Sequence, residues 1–331
     1  MQVTKNTQIY ILCPAAFHTG GPTLLHQLCA TLRGMGMQAV MYYYPSGVTP
    51  EDGIPVHPAY RSMMLPYVSS IQPRPENVLI YPETATYLVP RDFQIQRVLW
   101  WLSVDNWLSN LNNYFQQLVA QTDHLQMPLG DVEVLSNPTL THWVQSEYAR
   151  QFLRMNGVPE ERIFYVSDYL EPEYLSRSQE AGAGPREDIV AFNPRKGTEF
   201  TIKLMESSLD LHWRPIENMT PAQVEAFLHR AKVYVDFGNH PGKDRIPREA
   251  AVCGCCVLTG RRGAAGNAVD MPIPESCKFA DTEENVPAIV AKIRELLQNY
   301  ASSIGLWESY RQKILQEPAQ FRADVERAIH F

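Results

Sequence analysis

Asp236-Phe237-Gly238-Asn239-His240-Pro241-Gly242-Lys243-Asp244-Arg245-Ile246-Pro247-Arg248-Glu249 leaves a short apolar run, crosses a polar Gly/Pro loop, and enters a helix expected over residues 246–253. A turn that merely reverses the chain is shorter and less polar, so this stretch reads as a ligand loop at the carboxyl end of a strand over 233–237. Gly254 stops the helix, and 256–259 supplies the next strand. Strand, loop, helix and strand at this spacing form the unit of a parallel, doubly wound sheet.

The same unit occurs just upstream. A strand over 189–192 runs into Asn193-Pro194-Arg195-Lys196-Gly197, and a helix follows over 198–209. That loop combines two cations with the free backbone N–H groups of a helix start, which suits an anion. Arginine can fork two phosphate oxygens while lysine acts as a point charge. The next helix opens with Thr220-Pro221-Ala222-Gln223, a cap, a first-turn proline and a completed box. An amphipathic helix is expected over 287–300, and the tail over 306–330 is helical with a break at Pro318.

The first half repeats the alternation. Strands are expected over 9–13, 39–44, 78–81, 98–102 and 163–166, with helices ending at Gly34 and Gly157. Their apolar runs are continuous, as in strands covered on both faces. The domains are therefore 1–170, a linker over 171–186 carrying Ala-Gly-Ala-Gly-Pro, and 187–305, followed by C-terminal helices over 306–331 that pack back on the first domain. The fold class is α/β, with two doubly wound, Rossmann-like parallel sheets facing a cleft.

At 331 residues the chain suits two domains, and its 45% hydrophobic and 20% charged residues are those of a globular protein. A net charge of −7 argues against a nucleic-acid partner. No run approaches the roughly 20 apolar residues of a membrane span, although peripheral membrane contact stays open. The polar N-terminus reads against a secretory leader, so a cytoplasmic location is expected. Cys253, Cys255 and Cys256 lack the spaced second pair of a zinc site and read as small buried fillers, with no metal expected.

On the first domain, Glu83 and Asp105 follow strands and are candidates for acceptor contact or proton removal, or else a loop acid and a helix cap. His18 lies in the loop before the first helix and suits sugar or phosphate contact. Trp107 could stack on a sugar face, whereas Trp100 and Trp101 read as core.

The loop, the glutamate, the helix Ala-Ala-Val-Cys-Gly and the strand Cys-Cys-Val-Leu-Thr resemble the donor-binding segment of GT-B-fold nucleotide-sugar glycosyltransferases, in particular the large retaining family, glycosyl transferases group 1. The resemblance implies that Glu249 binds the donor ribose and that Arg195 and Lys196 hold its diphosphate. It implies that Gly20 and Gly21 let backbone approach donor phosphate and acceptor. Asn193, Asn239, His240, Gly242, Lys243 and Arg245 fall in its donor loops. The family usually carries a second glutamate eight positions before the ribose-binding one. Pro241 stands there in this chain, so Asp244 or His240 is expected to take over the sugar contact.

The activity so implied is transfer of a hexosyl or deoxyhexosyl group to a saccharide or other small acceptor. It is retaining and metal-independent, the nucleotide-sugar being a co-substrate and no cofactor being needed. Arg195 and Lys196, with Asp105 and Asp244, are the catalytic candidates, acting by stabilising the departing diphosphate. The absence of an Asp-x-Asp pair agrees with metal independence. Two other readings stay open: a sugar-nucleotide 2-epimerase of the same fold, and a non-catalytic binding protein. A dinucleotide oxidoreductase does not fit, because His-Thr-Gly-Gly-Pro-Thr over 18–23 is not Gly-x-Gly-x-x-Gly.

Overall fold

The computed structural model describes residues 3–45, 52–89, 93–120, 133–176 and 185–330. The chain divides into two compact units, Met1–Asp168 with Gln320–Phe331, and Tyr169–Ala319. Residues 177–184 of the expected linker lie outside the described residues.

The first unit contains β1 (Gln8–Pro14), α1 (Gly20–Gly34), β2 (Gln38–Tyr44), β3 (Tyr67–Val68), β4 (Val78–Pro82), β5 (Gln96–Trp101), α2 (Val104–Ala120), β6 (Thr141–Val144), α3 (Glu147–Met155) and β7 (Ile163–Tyr165). Its strands lie in the order β3-β2-β1-β4-β5-β6-β7, and every pair is parallel. All five residues of β4 are buried, which is why its sequence shows no polar alternation. From β1 the chain passes to β2 on one side and later returns to β4 on the other. The loops leaving β1 and β4 therefore diverge, which is where such sheets take ligands.

Trp100 and Trp101 are fully buried; their indole N–H groups donate to Val166 O and His142 Nδ1, both at 3.0 Å. Trp107 is buried too, edge-on to Trp101 at 5.3 Å between ring centres. It is a core residue rather than a sugar platform, because its position in the first turn of α2 turns it back onto the sheet.

The second unit contains α4 (Pro172–Ser176), β8 (Glu187–Phe192), α5 (Thr198–Glu206), β9 (His212–Pro215), α6 (Pro221–Arg230), β10 (Ala231–Asp236), α7 (Arg245–Val252), β11 (Cys256–Thr259), α8 (Val286–Gln298) and α9 (Glu308–Ile329), the last continuing into the first unit. The strand order is β11-β10-β8-β9, again all parallel. Here the order reverses between β8 and β10, so the loops 193–197 and 237–244 leave the sheet side by side.

Local chemistry sets the element ends. Thr220 Oγ1 accepts from Gln223 N while Gln223 Oε1 accepts from Thr220 N, the reciprocal box that starts α6 and contributes about 1 kcal/mol. Ser146 Oγ accepts from Ala149 N at 3.2 Å to start α3. The break expected at Pro318 does not occur: α9 runs through it. A proline forfeits one intrahelical bond, and here the helix is held on either side by the buried Ile314 and Phe321.

All six cysteines are free and buried, and burial pushes every thiol up. They fill space as neutral groups. Among the described residues, no helix is long and apolar enough to cross a membrane.

Candidate functional site

At the switch point of the second sheet two loops are pressed together, backbone to backbone. Gly197, with φ +58°, has no room for a side chain: a Cβ would lie 2.4 Å from the Phe237 carbonyl carbon. A Cβ on Gly238 would lie 2.5 Å from Lys196 Cβ. Only glycine allows this approach, and its cost to the chain's entropy marks the contact as built. Asp236 anchors the second loop, accepting from Gly238 N at 2.9 Å and from the Tyr234 hydroxyl at 2.8 Å. Asn193 Oδ1 accepts from Arg195 N at 3.0 Å and turns the first loop.

Two cations crown these loops. Arg195 is exposed, and its guanidinium has no hydrogen-bond or ion-pair partner among the described residues. Lys196 Nζ lies 2.6 Å from Asp244 Oδ2 and 3.5 Å from Asn239 O, with about a third of its side chain exposed. Gly197 at the N-cap of α5 offers no side-chain cap, so the first amides of that helix keep their hydrogens available.

Beneath Lys196 sits a charged stack. His240 is fully buried, with Nδ1 at 2.8 Å from Asp244 Oδ2 and Nε2 at 3.7 Å from Asp236 Oδ1. Burial alone would lower the imidazole, but the bond to Asp244 and the two carboxylate charges outweigh it and raise the His240 pKa. Burial would likewise raise Asp244, yet His240 and Lys196 hold its carboxyl below the usual range. The two groups thus favour each other's charged forms. Its carbonyl is closed off by Ala264 N at 2.8 Å, and a Cβ on Gly263 would fall 2.0 Å from the same oxygen. His240 therefore lies under the loop, supports Asp244 and does not reach a sugar, which corrects the contact the sequence offered for it.

The remaining cations are spoken for. Lys243, expected at the donor, is buried with Nζ 2.8 Å from Glu317 Oε1, because the loop turns inward at the buried Gly242. Arg248 Nη1 is 2.7 Å from Glu317 Oε2. Arg245 Nη2 is 2.7 Å from Glu171 Oε2, and its Nε is 3.6 Å from Glu249 Oε1. Glu249 is buried in the first half of α7; burial raises its carboxyl, Arg245 opposes this, and Glu171 adds to the rise.

The structure thus brings Arg195, Lys196, Asn239 and Asp244 together at the switch point, over the buried Asn193, with Arg245 and Glu249 one turn on. Three acids escaped the sequence reading. Asp236 had a signal, a lone carboxylate in an apolar strand. Glu171 and Glu317 lie far from the loop in sequence and had none.

In the first unit, Gly20 and Gly21 open α1. A Cβ on Gly21 would make only an ordinary 3.7 Å contact with Leu102, so packing does not demand glycine there. His18 is exposed and stacks on His57 at 5.1 Å between centres, with Tyr60 edge-on at 5.4 Å. Tyr60 is fixed in turn by Thr23, 2.8 Å away, and by the stacked His26 ring. Glu83 faces inward instead of outward. It is 3% exposed and accepts from Leu102 N at 2.9 Å; burial pushes its carboxyl up to about 7 against the opposing backbone bonds. Asp105 accepts from the Tyr148 hydroxyl at 2.8 Å and so ties α2 to α3.

No protein-family model matches the sequence, and no curated protein matches it by sequence. Solved structures do match its shape. HepE from Anabaena in complex with UDP superposes with a TM-score of 0.64 at 11% identity, over 98% of this chain and 99% of that one. Sucrose-phosphate synthase from Thermosynechococcus elongatus gives 0.64 at 14% identity, over 98% and 97%. A glycosyltransferase from Rickettsia africae gives 0.58 at 10%, over 98% and 97%. Likeness over nearly the full length of each chain, together with two all-parallel α/β sheets, shows that this chain has the GT-B fold shared by these structures, the fold that its loops implied.

Proposed function

We propose that this chain transfers a sugar from a nucleotide diphosphate-sugar to a saccharide or other small acceptor, holding the donor at the switch point of its second sheet. One observation carries the reading. Arg195, unpartnered among the described residues, and the part-exposed Lys196 sit together on a loop that opens an uncapped helix, at the strand edge where such sheets take ligands.

In this reading the diphosphate lies over Arg195, Lys196 and the first amides of α5. As the sugar–oxygen bond breaks, negative charge grows on the leaving diphosphate, and these groups stabilise it without rearranging. Lys196 must exchange Asp244 for phosphate. His240 then remains beside Asp244, so the displaced carboxylate keeps its imidazole partner. Glu249 accepts hydrogen bonds from the ribose hydroxyls. Attack and departure on one face of the sugar need no protein nucleophile, giving retention, and the two side-chain cations do the work that a metal ion does elsewhere. His18, at the rim of the first unit's glycine loop, is assigned to the acceptor. Glu83 orders the Leu102 loop behind it, and Asp105 orders α2.

HepE forms complexes with UDP and with UDP-glucose, which makes uridine nucleotides the first donors to try. The test is incubation with UDP-glucose and a panel of other nucleotide-sugars, following free nucleoside diphosphate and sugar identity. Release of diphosphate, faster with an acceptor, supports a transferase. Interconversion of the sugar marks an epimerase, and binding without turnover, for which Pro241 is the motive, marks a binding protein. Absence of any nucleotide binding contradicts all three.

A further inference from the structure

Lys243, a donor candidate in the sequence, and its neighbour Arg248 both end on one buried carboxylate. Each oxygen of Glu317 takes one cation, Lys243 at 2.8 Å and Arg248 at 2.7 Å. All three side chains are almost wholly enclosed, with Arg248 only 1% exposed. Arg248 also donates through Nη2 to Lys243 O at 3.1 Å and through Nε to Asp244 O at 3.2 Å. These carbonyls belong to the last two residues of the loop before α7. The loop backbone is thereby fixed where Asp244 leaves it, and the Asp244 side chain meets Lys196 and His240.

We infer that Glu317 is a positioning residue for the donor loop. Its carboxylate aligns Arg248 and Lys243, Arg248 holds the backbone of Lys243 and Asp244, and Asp244 sets where the Lys196 ammonium stands. The inference rests on the donor reading given above. It accounts for a cation-rich loop in which the buried pair does not face the ligand. A buried cation must be paired to be tolerated, and two cations sharing one forked carboxylate have a single geometry available. Lys243 and Arg248 are then architecture, while Arg195 and Lys196 bind phosphate.

The experiment compares wild type with Glu317→Gln, which keeps the shape and removes the charge, and with Glu317→Asp, which keeps the charge on a shorter arm. Calorimetric titration with UDP is run well below each protein's melting temperature, with melting recorded separately. A positioning role predicts that Glu317→Gln weakens UDP at least tenfold, about 1.4 kcal/mol, and that Glu317→Asp recovers part of the loss. UDP affinity equal to wild type in a folded Glu317→Gln protein, with only the melting temperature lowered, overturns the inference. If Glu317→Gln does not fold, Lys243→Met, which leaves Arg248 and Glu317 as a neutral pair, is titrated in its place. It is predicted to weaken UDP less than Lys196→Ala does, and an equal or larger loss would make Lys243 a direct ligand and overturn the inference. Failure of the wild type to bind UDP or any nucleoside diphosphate removes the donor reading itself, and the inference with it.

Discussion

Lys196 Nζ stands 2.6 Å from Asp244 Oδ2, so the lysine assigned to phosphate already holds a counter-ion. The pair is part-exposed, with side-chain exposures of 32% and 17%, and pairs of that kind are weak enough for a diphosphate to displace. His240, locked beneath at 2.8 Å, also helps to hold the Asp244 carboxyl below the usual range. The loop is therefore set up to exchange one anion for another.

Arg195→Ala and Lys196→Ala are each expected to slow donor turnover by about 10²–10³, the usual loss when one stabilising donor leaves a transition state. Neither is buried, so melting temperatures should stay close to wild type. Rates of nucleoside diphosphate release together with thermal melts check this. Unchanged rates in both variants would remove the diphosphate assignment.

Gly197→Ala adds a methyl that collides with the Phe237 carbonyl and forces alanine into a left-handed conformation. The expected cost is about 2–4 kcal/mol, combining backbone strain with overpacking. Gly305→Ala is the control, since a Cβ there meets nothing within 4 Å. Denaturant unfolding should separate the two, and equal stability would mean that the loops are not pressed together.

Central strands other than β6 were legible in sequence because burial on both faces leaves continuous apolar runs such as Val78 to Pro82. The edge strands β9 and β3 were not, although the edge strands β7 and β11 were. β9 is His-Trp-Arg-Pro, half exposed and ending in proline, and β3 is two residues long. The phosphate-facing loop was legible through Arg195, Lys196 and Gly197, since cations beside a helix start carry a local signal. The fate of Lys243 was not, because it depends on Glu317, 74 residues away, and pairing at that distance leaves no trace in a loop's own composition. His240 misled for a related reason: a histidine in a polar loop looks exposed until a second loop, through Gly263 and Ala264, covers it.

Glu249→Gln should weaken UDP about tenfold, roughly 1.4 kcal/mol, by replacing a charged acceptor with a neutral one. Stability at neutral pH should hold or rise, since burial already disfavours the ionised form. Calorimetric titration and melting curves decide it. A drop in melting temperature with unchanged UDP affinity would give Glu249 a purely helical role.

The Glu83 carboxyl is raised from 4.5 to about 7 in the fold, so the folded state holds its proton more tightly than the unfolded chain. That stabilisation is complete below about pH 4.5 and is lost as pH rises toward 7, a change of about 3 kcal/mol. Glu83→Gln keeps an acceptor for Leu102 N and should flatten the slope in that window. His240, also raised, gives a second loss at higher pH, above the ordinary histidine value of 6.5, which His240→Asn should remove. Unfolding free energies across the pH range test both signs, and identical slopes in wild type and Glu83→Gln would contradict the first.

A crystal structure of the chain with UDP bound tests the account most directly. The diphosphate oxygens are predicted within hydrogen-bond reach of Arg195 and Lys196, with Lys196 released from Asp244 and the ribose hydroxyls on Glu249. A nucleotide seated elsewhere, with Lys196 still on Asp244 and Arg195 unengaged, would contradict it.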